Sequence, residues 1–273
     1  MTHHTLHKIM TKKTTIGIVG GGNMGSAIVS GIRGTFSVRV CEKDALRAGR
    51  LRKKFRIAVQ DLKTVVENSD AVILAVKPQD FESVLGEIRP LLTHQLVISI
   101  AAGITTLYIE KRLREKTRVV RAMPNLPASV GQGMTALCKG RWANAADIKL
   151  SRKIFENIGR VIEVQEKWMD AVTAVSGSGP AYVFLFVECF MKAARSLGFS
   201  DEMSKTLVMQ TLKGSLNLLE NRKEDAATLR AAVTSKGGTT QAALEVFSAH
   251  HFEEIFKKAL LAARNRAKEL AKK

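Results

Sequence analysis

A glycine-rich turn between a predicted strand and a predicted helix limits this 273-residue chain to few folds. Residues 15–20 (TIGIVG) form a short β-branched run, and residues 23–33 carry apolar side chains at helical spacing. Gly20, Gly22 and Gly25 fit the G-x-G-x-x-G pattern of dinucleotide-binding βαβ units. The three glycines permit a tight turn, a close backbone approach to a diphosphate, and close packing of helix on strand. The turn predicts a Rossmann-type domain that binds NAD or NADP.

Strands and helices alternate through the first half of the chain. Further predicted strands cover 38–41, 70–76, 95–100, 119–121, 134–137 and 161–164, with a second helix over 45–55. The runs 70–76 and 95–100 are almost continuously apolar, as in parallel strands buried on both faces. After residue 166 helical patterns dominate. The sequence predicts a flexible leader (1–13), a doubly wound α/β dinucleotide-binding domain (14–165) and an all-helical dimerisation and substrate domain (166–273).

Composition favours a cytoplasmic protein without a metal site. Hydrophobic residues make up 45% and charged residues 25% of the chain, the balance of a soluble globular protein. No uncharged apolar run reaches the ~18 residues of a membrane span, and the leader has no apolar secretory segment. The three cysteines are widely separated in apolar runs, which predicts free buried thiols. His3, His4 and His7 lie in the polar leader and are expected in a tail, not a metal site.

The formal charge of +18 raises the alternative of a nucleic-acid-binding protein. The basic residues are spread along the whole chain, with local concentrations at 47–56 and 257–273, and no aromatic residues are interleaved with them. This pattern favours solvated helix faces and a general attraction for small anions. We therefore expect neither nucleic acid nor a membrane as a partner.

The helical domain carries more apolar surface than it can enclose. Residues 181–197 are apolar on nearly every helical face, residues 202–220 are similarly rich in leucine, and the last helix is amphipathic. A domain of this length cannot bury two such helices by itself. The sequence therefore predicts that part of this surface is covered in a homodimer.

Candidate cofactor-binding residues follow several predicted strands. Glu42 comes about 20 residues after Gly20, where an acid would take the ribose hydroxyls of NAD. Lys43 and Arg47 follow at once and suit the extra phosphate of NADP. Both coenzymes stay open, and the excess of basic residues favours NADP. The remaining candidates are the amides that open the first helix and two loops at strand ends: Asn23, Met24, Ala75, Val76, Lys77, Pro78, Ala101, Ala102 and Gly103.

A second glycine turn, in the helical domain, is a candidate anion site. Gly237, Gly238, Thr239 and Thr240 open a predicted helix over 240–247, so unpaired amides there suit a carboxylate. The alternative is an ordinary helix start capped by one of the threonines. Ser178 and the proline two residues later are interpreted first as another helix start.

Three motifs extend the pattern beyond a general Rossmann protein: RAMPN at 121–125, SGSGPAY at 176–182 and SKGGTT at 235–240. Together with GGGNMG, AVKP and AAG they resemble pyrroline-5-carboxylate reductases, from about residue 15 to the end of the chain. The resemblance implies reduction of the cyclic imine 1-pyrroline-5-carboxylate to L-proline by hydride transfer from NADPH or NADH. It also implies dimers or rings of dimers.

The same resemblance assigns substrate contacts. It implies that the substrate carboxylate rests on the Gly-Gly-Thr-Thr turn and that the hydroxyl of Thr240 contacts the ring nitrogen. Glu166 matches a residue that lines the substrate pocket of the family, although a glutamate at a helix start also compensates the helix dipole. Lys236 departs from the family pattern, which usually has proline there.

Two other functions are compatible with a Rossmann fold. A β-hydroxyacid dehydrogenase would need a lysine on the helix after the Gly-x-Gly segment, but residues 180–187 contain none and Lys192 comes about two turns too late. A non-catalytic nucleotide-sensing or nucleic-acid-binding protein would suit the basic charge. The intact Gly-Gly-Thr-Thr turn argues against it.

Overall fold

The computed structural model describes residues 13–270, so the predicted leader and its histidines lie, apart from Lys13, outside the described residues. The chain forms two compact units: one extends to Gly177 and resumes at Arg264, and the other is Ser178–Ala263. The division falls after residues 166–177, because Met169 in that segment packs into the first unit beside Ala136 and Cys138. The domain boundary after residue 165 stays a prediction.

One eight-stranded sheet organises the first unit. Its strands are β1 Thr15–Val19, β2 Ser37–Cys41, β3 Ala58–Val59, β4 Ala71–Leu74, β5 Leu96–Ser99, β6 Val119–Met123, β7 Gly133–Lys139 and β8 Gly159–Glu163. The order is β3-β2-β1-β4-β5-β6-β7-β8. The first six positions are the 3-2-1-4-5-6 order of a Rossmann sheet. The predicted doubly wound α/β domain is confirmed.

The sheet is parallel except where β7 pairs with β6 in the antiparallel direction. Residues 124–132 connect these two strands and are too few for the crossover of a dozen or more residues that a parallel pair needs. The next strand, β8, is parallel to β7. The sequence patterns marked both strands but not their reversed direction.

Helices cover both faces of the sheet: α1 Asn23–Ile32, α2 Ala45–Phe55, α3 Leu62–Glu67, α4 Phe81–Ile88, α5 Thr106–Arg112, α6 Ala145–Phe155 and α7 Met169–Val172. Successive residues of a strand point to opposite faces, and the core divides accordingly. Ile73 packs in one cluster with Ile28 of α1, whereas Val72 packs in the other with Phe81 of α4. The central strands are buried on both faces, as their apolar runs predicted.

The second unit is entirely helical: α8 Gly179–Ser196, α9 Asp201–Asn221, α10 Ala226–Ala232, α11 Thr239–Ala249 and α12 Phe252–Leu270, the last of which ends within the first unit. Helix α8 packs on α9. Much of the apolar surface of α8 remains exposed in the single chain, with Phe184 at 57% and Leu185 at 60%. Cys189 is also exposed, so the prediction of a buried thiol is wrong for it in the single chain, because the helix is covered on too few sides.

Within Glu166–Ser196, an 18-residue window is long and apolar enough to cross a membrane by length and composition. The mean hydropathy of this window is 1.3, and 6% of it is buried. A surface helix that lacks its protein partner gives the same result. Exposed apolar area on this scale marks a surface that another molecule covers.

Candidate active site

The glycine turn after β1 is shaped by three different constraints. Gly20 has a φ of +102°, and a Cβ there would lie 2.5 Å from the carbonyl oxygen of Ala75. A Cβ on Gly25 would lie 2.1 Å from the carbonyl oxygen of Gly20, so helix α1 approaches the turn too closely for a side chain. Gly22 has extended backbone, and a Cβ there would meet no atom of residues 13–270 within 4 Å. The protein itself therefore does not require glycine at position 22.

Helix α1 begins without a side-chain cap. Gly22 is its N-cap residue, and no side chain within the described part of the chain caps the start of the helix. The first turn of an α-helix has no intrahelical acceptors for its N–H groups, which makes it suited to an anion. The open space at Gly22 and these free amides fit the diphosphate of a dinucleotide.

The Glu42 side chain, at the end of β2, forms hydrogen bonds with the glycine turn. Its Oε2 accepts the Gly21 N–H at 2.7 Å and contacts Arg47 Nη1 at 3.2 Å, while its Oε1 accepts the Asp44 N–H at 2.8 Å. The side chain is only 3% exposed. The carboxylate therefore stabilises the glycine turn and neutralises one basic residue, instead of standing free for ribose hydroxyls.

Asp44 places Arg47 at this edge. It is the N-cap of α2, and its Oδ1 accepts the Arg47 N–H at 2.7 Å. That hydrogen bond lowers the pKa of Asp44 below its ordinary value, with smaller help from the Arg47 and Arg50 charges. The carboxylate form thus persists at neutral pH and holds the start of α2 in place.

A cleft of about 630 Å³ lies over the carboxyl ends of β1, β2 and β4. It brings together most of the candidate cofactor residues: Gly20, Gly22, Asn23, Glu42, Lys43, Arg47, Ala75, Val76 and Lys77. Across its mouth Lys43 Nζ lies 3.8 Å from Asp80 Oδ1. Pro78 starts the short 3-10 turn that carries Asp80 and does not line the cleft.

A second pocket of about 530 Å³ adjoins the start of α1 and is lined by Asn23, Met24, Pro124 and Asn125, among others. Asn125, in the RAMPN motif, is a structural connector. Its Nδ2 donates to the Ser176 carbonyl at 3.0 Å, and its Oδ1 accepts the Met134 N–H at 2.8 Å. It joins the end of β6 to the start of β7 and to the SGSGPAY motif.

The loop Ala101–Ala102–Gly103 follows β5, two strands away from β1. Its residues line neither of the two pockets. The Ala101 N–H donates to Ser99 Oγ at 3.3 Å, and Gly103 has a φ of +76°. The structure therefore places this loop at the carboxyl edge of the sheet, on the side of β1 opposite to β2.

Glu166 lies against an arginine buried inside the first unit. Its Oε1 accepts a hydrogen bond from Arg121 Nη1, and its Oε2 accepts both the N–H (3.1 Å) and the hydroxyl (2.7 Å) of Thr106. Asp170 Oδ1 lies 3.9 Å from Arg121 Nη2. Arg121 is 1% exposed, and its Nε and Nη2 have no hydrogen-bond partner among the described residues. The Glu166 carboxylate is thus bound to protein groups.

Cys138 borders the same cluster. Burial raises the pKa of its thiol to about 12, and the nearby Glu166 carboxylate adds to the rise while Arg121 opposes it. The thiol lies 3.7 Å from Glu166 Oε2. It is neutral and unreactive at physiological pH.

In the second unit, Gly238 is the N-cap of α11, and neither threonine caps the helix. The alternative of a threonine-capped start is therefore wrong. The Gly238 N–H donates to the Ser235 carbonyl at 3.0 Å, and the Gly237 N–H donates to Gln241 Oε1 at 2.7 Å. Among the described residues, the amides of Thr239, Thr240 and Gln241, which open the helix, have no hydrogen-bond partner.

The two glycines shape this turn. Gly237 has a φ of +73°, and a Cβ on Gly238 would lie 2.3 Å from Ser235 Oγ. Thr239 is exposed, Thr240 is half-buried, and within residues 13–270 neither hydroxyl bonds another protein group. Ser178 directly precedes α8 without a side-chain cap bond, and proline lies in the first turn, as predicted for a helix start.

Several contributing residues were not predicted as site residues. The side chain of Gln241, in the first turn of α11, accepts the Gly237 N–H of the second glycine turn. Arg121 is the partner of Glu166. The motif RAMPN marked Arg121 and Asn125, but not their contacts. Within residues 13–270 no group of three or more His, Cys, Asp or Glu side chains is placed to hold a metal ion.

The sheet order and the glycine turn define a Rossmann-type dinucleotide-binding protein with a helical second part. Two family models match it: residues 166–270 match pyrroline-5-carboxylate reductase dimerisation, and residues 15–103 match NADP oxidoreductase, coenzyme F420-dependent. A pyrroline-5-carboxylate reductase from Mycobacterium tuberculosis is 38% identical over 93% of this chain and 96% of its own.

Comparison with solved structures finds the same family as the sequence comparison. A pyrroline-5-carboxylate reductase from Coxiella burnetii superposes with a TM-score of 0.88 at 38% identity, over 96% of this chain and 100% of that one. The pyrroline carboxylate reductase of Plasmodium falciparum, solved with NADP bound, has a TM-score of 0.87 at 31% identity, over 96% and 100%. The chain belongs to the pyrroline-5-carboxylate reductase family. It is an oxidoreductase with a region matching the family's dimerisation domain.

Proposed function

We propose that this protein reduces 1-pyrroline-5-carboxylate to L-proline, the last step of proline biosynthesis, with NADPH or NADH as hydride donor. The observation that carries the proposal is the uncapped start of α11 in a member of this family, where three free amides can hold a carboxylate. A β-hydroxyacid dehydrogenase or a non-catalytic nucleotide sensor is not favoured by any of the relatives described above.

The proposed coenzyme site is the cleft over β1, β2 and β4. The free amides at the start of α1, with Gly20, Gly22, Asn23, Met24 and Gly25, would hold the diphosphate. Lys43 and Arg47 would take the extra phosphate of NADP, which favours that coenzyme because the one acid, Glu42, is already bonded to the turn. The loops 75–78 and 101–103 would surround the ribose and nicotinamide.

The proposed substrate site is the turn Gly237, Gly238, Thr239 and Thr240, with Ser178 as a further candidate contact. The family also implies Glu166, but both oxygens of its carboxylate are already bonded to Arg121 and Thr106. When bound, the coenzyme supplies a hydride to the ring carbon of the C=N bond, and the bond's π electrons pass to nitrogen. The amides that open α11 would hold the carboxylate and so fix the ring. Thr240 would orient the C=N bond or relay a proton from water, because an alcohol is too weak an acid to protonate nitrogen alone near neutral pH.

We propose a homodimer, alone or in a ring of dimers, as the functional form. The exposed apolar faces of α8 and α9 lie within the residues matched to the dimerisation model, which supports a second copy as their cover. We also propose a soluble cytoplasmic enzyme that binds neither membrane nor nucleic acid, because its composition is that of a soluble globular protein and its basic residues are spread along the whole chain.

The test is coenzyme oxidation with pyrroline-5-carboxylate as the variable substrate. We expect Thr240→Ala to lower kcat at least about tenfold and Thr240→Ser, which keeps the hydroxyl, to recover most of the rate. A near-wild-type rate for Thr240→Ala would remove its role. Turnover of a hydroxy acid without turnover of the imine would favour the dehydrogenase alternative, and tight salt-dependent DNA binding without turnover would favour the nucleic-acid alternative.

A further inference from the structure

We propose that Glu166 is a positioning residue for the loop 101–105, rather than a ligand of the substrate. Paired with Arg121, it would fix the loop that receives the nicotinamide half of the coenzyme. This inference rests on the proposed function, since it concerns how the same coenzyme is held. The inference also gives a role to Arg121, the buried arginine of the RAMPN motif, which does not belong to the glycine turn after β1.

The loop is tied at both ends by hydrogen bonds to side chains. At its start, the Ala101 N–H donates to Ser99 Oγ. At its end, both the amide and the hydroxyl of Thr106 donate to Glu166 Oε2. Between these two anchors lies Gly103 with its left-handed backbone. The position of the end of the loop therefore depends on where the Glu166 carboxylate is held.

Arg121 determines that position from inside the sheet. It pairs with Ser99 of β5 on one side and with Cys138 of β7 on the other, so these three residues form one row across three strands. The guanidinium is fully buried and donates to Glu166 Oε1. A guanidinium fixed by packing holds its N–H donors in a fixed geometry. These donors position the Glu166 carboxylate, and the carboxylate in turn positions Thr106.

The position of the loop in the sheet connects this cluster to the coenzyme. The order β2-β1-β4-β5 puts the adenosine side at β2 and the diphosphate at the turn after β1. The nicotinamide half then extends over β4 and β5, where residues 101–105 begin. The same cluster does not touch the side chains around the adenosine half, namely Glu42, Lys43 and Arg47.

The hydrogen bonds of Glu166 explain why a carboxylate is needed at this position. Glu166 accepts hydrogen bonds through both oxygens, one from Arg121 and the other from Thr106. A glutamine has only one acceptor oxygen, so its NH₂ group must face donors on one of the two sides. Glu166→Gln therefore releases either the arginine or the loop, although the side chain keeps its size.

The experiment compares NADPH with ADP, which carries only the adenosine half and the diphosphate. Dissociation constants are measured by fluorescence or calorimetric titration for the full-length wild type and Glu166→Gln, beside kcat and KM. We expect NADPH affinity to fall about tenfold and kcat at least tenfold, with ADP affinity and the KM of the imine nearly unchanged. Hydrogen exchange of the amides in 101–105 should rise while that of β1 does not. Glu163→Gln removes an exposed carboxylate from β8 and is the matched control, expected to behave as wild type.

Thr106 provides a second variant in case Glu166→Gln fails to fold. Thr106→Val removes the hydroxyl donor but leaves the Arg121–Glu166 pair, and Thr106→Ser restores the hydroxyl. We expect selective loss of NADPH affinity in Thr106→Val and recovery in Thr106→Ser. Equal loss of NADPH and ADP affinity, or no loss of either, would overturn the inference. A raised imine KM in Glu166→Gln with unchanged NADPH affinity would identify a substrate ligand instead. A wild type that binds NADPH but never turns over the imine would refute the proposed function alone.

Discussion

Replacing Gly22 by alanine should separate coenzyme binding from folding. A Cβ at position 22 would meet no protein atom within 4 Å, and the residue has φ −63° and ψ −168°, which alanine adopts without strain. Alanine restricts the unfolded chain, which stabilises by about 0.4–1 kcal/mol, but it is a poorer N-cap residue than glycine. These effects oppose each other. We therefore expect the free energy of unfolding to change by less than about 1 kcal/mol.

Coenzyme binding should respond very differently. The added methyl group would stand where the backbone must approach the diphosphate, at the free amides of α1. Displacing a charged group from hydrogen bonds costs about 1.5–3 kcal/mol for each bond. A loss of about 3 kcal/mol, from one strong bond or two weak ones, corresponds to a roughly 100-fold larger dissociation constant. Fluorescence titration with NADPH measures this loss, and thermal unfolding measures stability.

Two matched variants complete this experiment. Gly49→Ala lies in the exposed interior of α2, where a Cβ also meets no atom, and it should leave NADPH binding unchanged. Gly25→Ala should damage the fold, because its Cβ would lie 2.1 Å from the Gly20 carbonyl oxygen. Wild-type NADPH affinity in a folded Gly22→Ala protein would refute the argument that the turn receives the diphosphate.

Three further predictions concern other parts of the molecule. Arg47→Glu places a second negative charge beside Glu42 and should shift the ratio of Michaelis constants towards NADH by at least about tenfold; an unchanged preference would count against Arg47 as a phosphate ligand. With a thiol pKa of about 12, Cys138 binds its proton more tightly in the folded state, so its contribution to stability is complete below its ordinary pKa of 9.0 and is lost as pH rises towards 12. Cys138→Ala should flatten that alkaline loss in denaturation curves, and an unchanged slope would contradict the shift. Sedimentation at micromolar concentration should show a dimer, and a stable monomer would contradict the interpretation of the exposed face of α8.

The strands and helices near the coenzyme turn could be predicted because their signals are local. Glycines at 20, 22 and 25, a β-branched run before them and an apolar helical pattern after them lie within one short segment. The direction of β7 could not be predicted from its own residues, because it depends on the length of the connection from β6. The strand β3 has only two residues and gives no periodic signal.

Side-chain roles were less predictable than residue types. The position of Glu42 at the end of β2 follows from the sequence, but its bond to the Gly21 amide depends on how two separate segments pack. The position of Glu166 at a helix start suggested that it compensates the helix dipole. Its actual partner, Arg121, is remote in sequence and comes close to it only because the sheet folds. In the second glycine turn, the Gly237 amide is bonded by the Gln241 side chain and the Gly238 amide by the Ser235 carbonyl, and neither bond could be predicted from the glycine pattern.

Isotope transfer shows whether the hydride of the coenzyme reaches the imine carbon. NADPH deuterated at both C4 positions is incubated with the protein and 1-pyrroline-5-carboxylate, and the product is analysed by mass spectrometry and NMR. Hydride transfer predicts L-proline with one deuterium at the ring carbon that was double-bonded to nitrogen. Proline without deuterium, or coenzyme that is bound but never oxidised by the imine, would contradict it.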